Sequence, residues 1–160
     1  MALAERHGLF VLEDAAQAVG ARLQGRLMGS WGDASCFSLH PLKNLHAFGD
    51  GGMITTDDEA LNENVRMSRN HGMKNRDECE FWGCNCRLDE LQAAMLRVQL
   101  PLLDGWTEKR RRLAFRYNEL LNPYVSVPEE GDDEFCVYQT YVIQAERRNE
   151  LREFLRGRGV

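Results

Sequence analysis

Apolar residues occur along this chain first in short blocks and later in long one-sided stripes. Leu9-Phe10-Val11-Leu12 is a continuous apolar run, the pattern of a strand buried on both faces. Ala2 to His7 before it reads as the end of a helix stopped by Gly8. After Glu13-Asp14 the small residues Ala15-Ala16-Gln17-Ala18-Val19-Gly20-Ala21 suit a helix, and Gly25, Gly29, Ser30 and Gly32 punctuate a loop. Cys36 to Leu39 and Met53 to Thr56 are two more short strands, parted by the turn residues Gly49-Asp50-Gly51-Gly52.

From residue 56 the period changes. Thr56-Asp57-Asp58-Glu59 offers an N-cap and first-turn acids to a helix that carries Leu61, Val65 and Met67 and stops near Gly72. Residues 70–85 are irregular and polar. Leu88, Leu91, Met95, Val98 and Leu102 form one helical stripe, and Pro101 marks a kink or a new start. Trp106, Leu113, Tyr117, Leu120 and Leu121 continue a helical face up to Asn122-Pro123. Residues 125–133 read as a loop, Val137 to Gln144 alternates like a strand, and Asn149 to Arg158 is helical. The order predicts an α/β sheet domain over residues 1–105, with a linking helix and the start of a smaller domain over 106–160.

Composition narrows the class. The 160 residues are 43% hydrophobic and 28% charged, enough apolar material for a core, and the net charge is −5. Basic and acidic residues are interleaved, so nucleic acid is not an expected partner. Lys109 to Arg112 points all round a helix and reads as a solvated face. No run approaches the roughly 18 apolar residues of a membrane span, and no signal-peptide pattern opens the chain. A cytoplasmic protein with no membrane partner is expected. The five cysteines include Cys79, Cys84 and Cys86 in a C-x4-C-x-C array, which lacks the C-x2-C spacing of zinc ligands. Reduced thiols and no metal are expected.

Three segments carry candidate chemistry. In open α/β sheets ligands gather at the carboxyl ends of strands. Asp14 follows the first strand and Gln17 lies about one helical turn on, so Asp14 reads either as a crevice carboxylate or as a helix N-cap. Ser38 ends the second strand, and Lys43 follows five residues later between Pro41 and the glycine-rich turn. A desolvated lysine there is a usable amine nucleophile, and a solvated one is ordinary surface. Asn85 and Arg87 precede the long stripe, as ligand contacts or as a helix cap and a surface ion pair.

Taken together, the segments VLEDAAQAVGA, GSWGDASCFSLHPLKNLHAFGDGGMITTDD, RNHG and GCNCRLDELQAA resemble the DegT/DnrJ/EryC1/StrS family of pyridoxal-phosphate sugar aminotransferases. The resemblance runs from Leu3 to about Tyr117. It implies the fold type I of PLP-dependent transferases, with this chain as the second half of the large sheet domain plus the start of the small C-terminal domain. It implies that Lys43 forms a Schiff base with pyridoxal 5'-phosphate, Asp14 pairs with the pyridine nitrogen, and Gln17 lies beside the ring. Ser38 would donate to the cofactor phosphate. Asn85, with Arg87 lining the same site, would reach the cofactor of a neighbouring subunit in a homodimer with shared active sites. The implied reaction moves an amino group from an amino acid, glutamate being the expected donor, to a nucleotide-linked keto-sugar. Dehydratase relatives carry histidine in place of the lysine, so Lys43 favours transamination. His71 and Arg76 are candidates for substrate contacts or for loop structure.

Family chains are more than twice this length, and Met1 aligns with an internal position. The expectation is therefore an internal fragment. Its alternative to catalysis is an inactive interaction module built on residues 83–121.

Overall fold

The computed structural model describes residues 1–160. In chain order the elements are α1 (Ala2–His7), β1 (Leu12–Asp14), β2 (Arg22–Leu23), β3 (Arg26–Leu27), β4 (Ala34–Ser38), β5 (Gly52–Thr55), α2 (Glu59–Ser68), α3 (Glu90–Gln99), α4 (Leu103–Leu121), β6 (Glu134–Phe135) and α5 (Arg148–Arg156). A 3₁₀ turn at Leu100–Leu102, with Pro101 inside it, joins α3 to α4. Proline has no N–H to give, so the α3 hydrogen-bond ladder ends there and a new helix starts.

Two small sheets organise these elements. In the first, the order is β1-β4-β5. β1 runs parallel to β4 with Asp14 opposite Cys36, and β5 runs antiparallel with Gly52 opposite Ser38. In the second, the β2–β3 hairpin pairs with β6, Arg22 lying opposite Phe135. This second sheet ties the chain near residue 23 to the chain near residue 135, across the predicted division at 105.

The buried core lies where the loop after β4 meets the helices. Leu39, Leu45 and Ala47 from that loop pack with Leu96 of α3 and Leu103 of α4, flanked by Val19 and Leu88. The segment that carries Lys43 is thus anchored on both sides by buried residues, which makes it rigid framework. Apolar side chains set this position, because nothing else in a Pro-containing loop would hold it down.

Three local expectations are corrected. The apolar run 9–12 enters a strand only at Leu12, and Leu9, Phe10 and Leu12 are exposed. β1 is an edge strand in this chain, with β4 on one side only, so nothing covers the run. Residues 15–21 are turns and not a helix. The Asp14 carboxylate takes the Ala16 N–H, and the bonds from Ala18 N–H to Ala15 C=O and from Ala21 N–H to Ala18 C=O span three residues each. Residues 137–144 form no strand. Tyr138 has φ of 46°, which breaks an extended ladder, and only a single bridge, Ser126 to Gln144, survives. The other expected elements are present, including α1 ending at Gly8 and α2 capped by the Asp58 carboxylate on the Leu61 N–H. No helix is long and apolar enough to cross a membrane.

Candidate active site

β1 and β4 are parallel neighbours, so their carboxyl ends emerge at the same edge of the sheet. Asp14 is the last residue of β1 and Ser38 the last of β4. Asp14 and Gln17 are exposed, and Asp14 accepts only the Ala16 N–H, at 3.1 Å from Oδ1. The chain here is not a helix, so the N-cap reading of Asp14 falls away. Its carboxylate is held in a turn with one oxygen free. Ala15 beside it is buried, which turns the turn's polar side outward.

The loop from Leu39 to Ala47, which leaves the end of β4, carries Lys43. Its backbone is closed by bonds from Leu39 N–H to Gly51 C=O and from Ala47 N–H to Leu39 C=O. Lys43 itself is half-buried, and its ammonium makes neither a hydrogen bond nor an ion pair within the chain. The two nearby histidines are occupied otherwise. His46 Nδ1 lies 3.1 Å from the Lys43 carbonyl, and His40 accepts the Leu42 N–H.

The residues that hold this loop were not legible in the sequence. Asn44 is buried and its Nδ2 donates to the Val137 carbonyl at 3.1 Å. Gln139 completes a clamp. Its Oε1 accepts the Asn44 N–H at 2.8 Å, and its Nε2 donates to the Leu42 carbonyl at 2.7 Å. These three bonds bracket Lys43 from a segment more than ninety residues away. Gln139 sits in an alternating apolar stretch, and no local pattern marks it. Arg111 then fixes that segment to α4. Its guanidinium pairs with Glu130 through two bonds, of 2.5 and 3.1 Å, donates to the Cys136 carbonyl and lies 4.0 Å over the Phe135 ring. Burial raises the Glu130 carboxyl, but Arg111 and the Cys136 N–H outweigh it, leaving Glu130 below the ordinary carboxylate range. The same burial and the Glu130 charge push the Cys136 thiol and the Tyr138 phenol up.

Glu13 was also missed as a structural residue. Alternation turns it away from Asp14. It gathers the N–H groups of Gly29, Trp31 and Gly32 at 2.8, 2.6 and 2.7 Å and the Ser35 hydroxyl at 3.1 Å, so it folds the 29–35 loop onto β1.

Asn85 and Arg87 lie elsewhere, on the loop between α2 and α3. Arg87 donates to Asn85 Oδ1 at 3.0 Å and to Asn70 Oδ1 at 3.2 Å. Asn85 is therefore not the cap of α3, a position Asp89 holds, and Arg87 makes no carboxylate pair. The loop is tied to the end of α2 by backbone bonds from Cys84 to Ser68 and from Cys86 to Arg69. Gly83 is required there: a Cβ would lie 2.3 Å from the Gly72 nitrogen and 2.6 Å from the Ser68 carbonyl oxygen. No hydrogen bond links Asn85 or Arg87 to the β1–β4 edge within the chain. His71 is exposed with a positive φ of 62°, and Arg76 is exposed in the same loop.

The large apolar cavity is a different place. It measures about 750 Å³ and lies between β4–β5 and the helices α2 and α3, lined by residues such as Phe37, Met53, Val65, Leu88 and Leu96. None of the candidate site residues lines it.

The model of the DegT/DnrJ/EryC1/StrS aminotransferase family matches residues 1–160. Among curated relatives, a pleiotropic regulatory protein of Geobacillus stearothermophilus is 47% identical over 99% of this chain and 44% of its own length. The dTDP-3-amino-3,4,6-trideoxy-alpha-D-glucose transaminase of Streptomyces venezuelae is 45% identical over 99% of this chain and 42% of its own length. Among solved structures, DesV of S. venezuelae in complex with a ketimine intermediate superposes with a TM-score of 0.94 at 45% identity, covering 99% of this chain and 43% of that one. The chain thus spans less than half the length of the relatives it matches.

Proposed function

This chain belongs to the DegT/DnrJ/EryC1/StrS aminotransferase family, and from that premise we propose that the protein it represents transfers an amino group from an amino acid, glutamate first, to a nucleotide-linked keto-sugar. The family is pyridoxal-phosphate dependent, and the chain has the α/β fold of such enzymes. The residues at the β1–β4 edge fit the cofactor in their chemistry. Lys43 brings an amine, Asp14 a carboxylate with one unused oxygen and Ser38 a hydroxyl, and the small residues Ala15 and Ala16 follow Asp14. The observation that supports the reading is that Asp14 and Ser38 end two parallel neighbouring strands, with the half-buried, unpartnered Lys43 on the loop that leaves the second.

In this reading Lys43 anchors the cofactor through Nζ, Asp14 receives the pyridine N–H, Gln17 flanks the ring and Ser38 donates to the phosphate. The bound cofactor supplies the electron-accepting ring and the carbon that carries nitrogen from one substrate to the other. Asp14 as a carboxylate keeps the proton on the ring nitrogen. Lys43, with its amine free, would be the base that moves a proton at the reacting carbon. Asn85 and Arg87, held together away from this edge, are the groups a homodimer would bring to the partner's cofactor phosphate. In the same proposal, residues 1–105 are part of the large cofactor-binding domain and 106–160 are the linking helix and start of the small domain. A cytoplasmic setting belongs to it as well, in keeping with five unpaired cysteines.

The test uses the complete-length protein. Added pyridoxal phosphate should give a visible absorbance band, and borohydride should fix one cofactor mass on the peptide containing Lys43. A Lys43→Ala variant should show neither. With glutamate and a dTDP- or UDP-linked keto-sugar, 2-oxoglutarate should accumulate one for one with amino-sugar. Wild-type protein with no Lys43 adduct would sink the reading.

A further inference from the structure

The α2–α3 loop holds a pair of side chains that this function leaves unused. Cys84 and Cys86 are both exposed, and their Sγ atoms lie 3.4 Å apart. The chain between them is extended, with the Cys84 and Cys86 N–H groups bonded to Ser68 and Arg69 carbonyls and Asn85 bridged to Asn70. An extended chain alternates its faces. Both thiols therefore share one face, while Asn85 and Arg87 share the other, as the Arg87–Asn85 bond confirms. The Cys84 thiol is held above its ordinary value chiefly by the hydrogen bond it shares with Cys86. Cys79, exposed on the same loop, instead lies against the carbonyls of His71 and Phe81.

We propose that Cys84 and Cys86 form a reversible dithiol–disulfide site, oxidised by small disulfides of the glutathione class, that acts on Asn85 from behind. A thiolate of the pair attacks glutathione disulfide and expels one glutathione. The second cysteine, deprotonated, attacks the protein sulfur of the mixed disulfide and expels another. Two cysteine thiols lose two hydrogens, and one glutathione disulfide becomes two glutathiones. Geometry limits the cost and fixes the consequence. A separation of 3.4 Å must shorten to a bond of about 2.05 Å. Residues two apart in an extended chain have Cα atoms about 6.6 Å apart, at the long end of what a disulfide spans. Closure thus draws the ends together and bends the one residue between them, Asn85. A bond strained in this way is readily reduced again.

The experiment equilibrates the complete-length protein in glutathione buffers, quenches thiols by alkylation and reads the tryptic peptide from Asp77 to Arg87 by mass. Wild-type and Cys79→Ser proteins should lose two hydrogens in that peptide. At fixed glutathione disulfide, a tenfold rise in glutathione should lower the oxidised-to-reduced ratio about 100-fold, the second-order dependence of an intramolecular bond. Cys84→Ser and Cys86→Ser should form only mixed disulfides, with a tenfold response. Amide exchange at Cys84 and Cys86 should speed up on oxidation of the wild type. A first-order response in wild type, a bond to Cys79, or unchanged amide exchange on oxidation would each overturn the proposal.

Discussion

Glu13 and Asp14 show how far two adjacent carboxylates can diverge. Asp14 is exposed at the end of β1 with one oxygen free, whereas Glu13 is saturated by four donors from the 29–35 loop. Burial raises the Glu13 carboxyl, but the N–H groups of Gly32, Gly29 and Trp31 and the Ser35 hydroxyl more than reverse this, so it titrates below its ordinary 4.5. A depressed folded value means that its stabilisation is complete above the unfolded value and is lost as pH falls through the folded one. Glu13→Gln should cost about 1–3 kcal/mol at pH 7, because an amide leaves backbone donors unmet. The cost should shrink below about pH 4.5, where wild type loses the same interaction. Urea unfolding of both proteins at pH 7 and pH 3.5 measures this, and an unchanged difference would refute it. Asp14 drew notice in the sequence as an acid at a strand end, and Lys43 as a lysine between Pro41 and a glycine-rich turn, its role coming only from the family resemblance. Glu13 drew none, since its donors are backbone groups of a loop and leave no mark in residue type.

Among the elements, the helices were the most legible. Leu91, Met95 and Val98 keep helical spacing, and Asp58 caps α2 as its position implied. The period alone is enough to specify a helix. The 137–144 segment misled for the converse reason: its alternation is real, but tertiary bonds take it over. Tyr138 turns left-handed so that Gln139 can reach the Lys43 loop. Gln139→Leu removes both of its bonds to the loop and should therefore raise amide exchange at Asn44 by about tenfold or more, about 1.4 kcal/mol or more, with α2 amides unchanged. Exchange unaltered at Asn44 would show that the clamp does not order the loop. Upstream of it, the side chains of Arg111 and Glu130 are only 13% and 12% exposed. Arg111→Met should destabilise by about 3–5 kcal/mol, since it strands a buried carboxylate. Adding Glu130→Gln to it should recover part of that loss, which thermal or denaturant unfolding of the single and double variants resolves. A double variant no better than Arg111→Met would remove the charge argument.

For the whole molecule, surface area decides what the elements mean together. Only 14 of 160 residues are buried, and the accessible surface is 12185 Å². A compact monomer of 18.4 kDa exposes about 8,200 Å², so this chain shows roughly half as much surface again. The excess is apolar in places where a core would be: Phe10 and Leu12 on β1, Met53 and Ile54 on β5, Leu91 and Val98 on α3, and a fully exposed Trp82 on the α2–α3 loop. Apolar side chains exposed in such number are characteristic of surfaces that meet a partner. The relatives it matches are more than twice as long as this chain. The composition could not reveal this, because 43% hydrophobic residues are the same whether they face a core or an absent neighbour. The 160 residues alone should therefore self-associate and bind a hydrophobic dye strongly, while the complete-length protein should do neither beyond a defined oligomer. Light scattering and dye fluorescence at matched concentration separate the two. A monomeric, dye-silent 160-residue chain would mean that its apolar faces find partners within the chain itself, which would refute the inference from exposed surface.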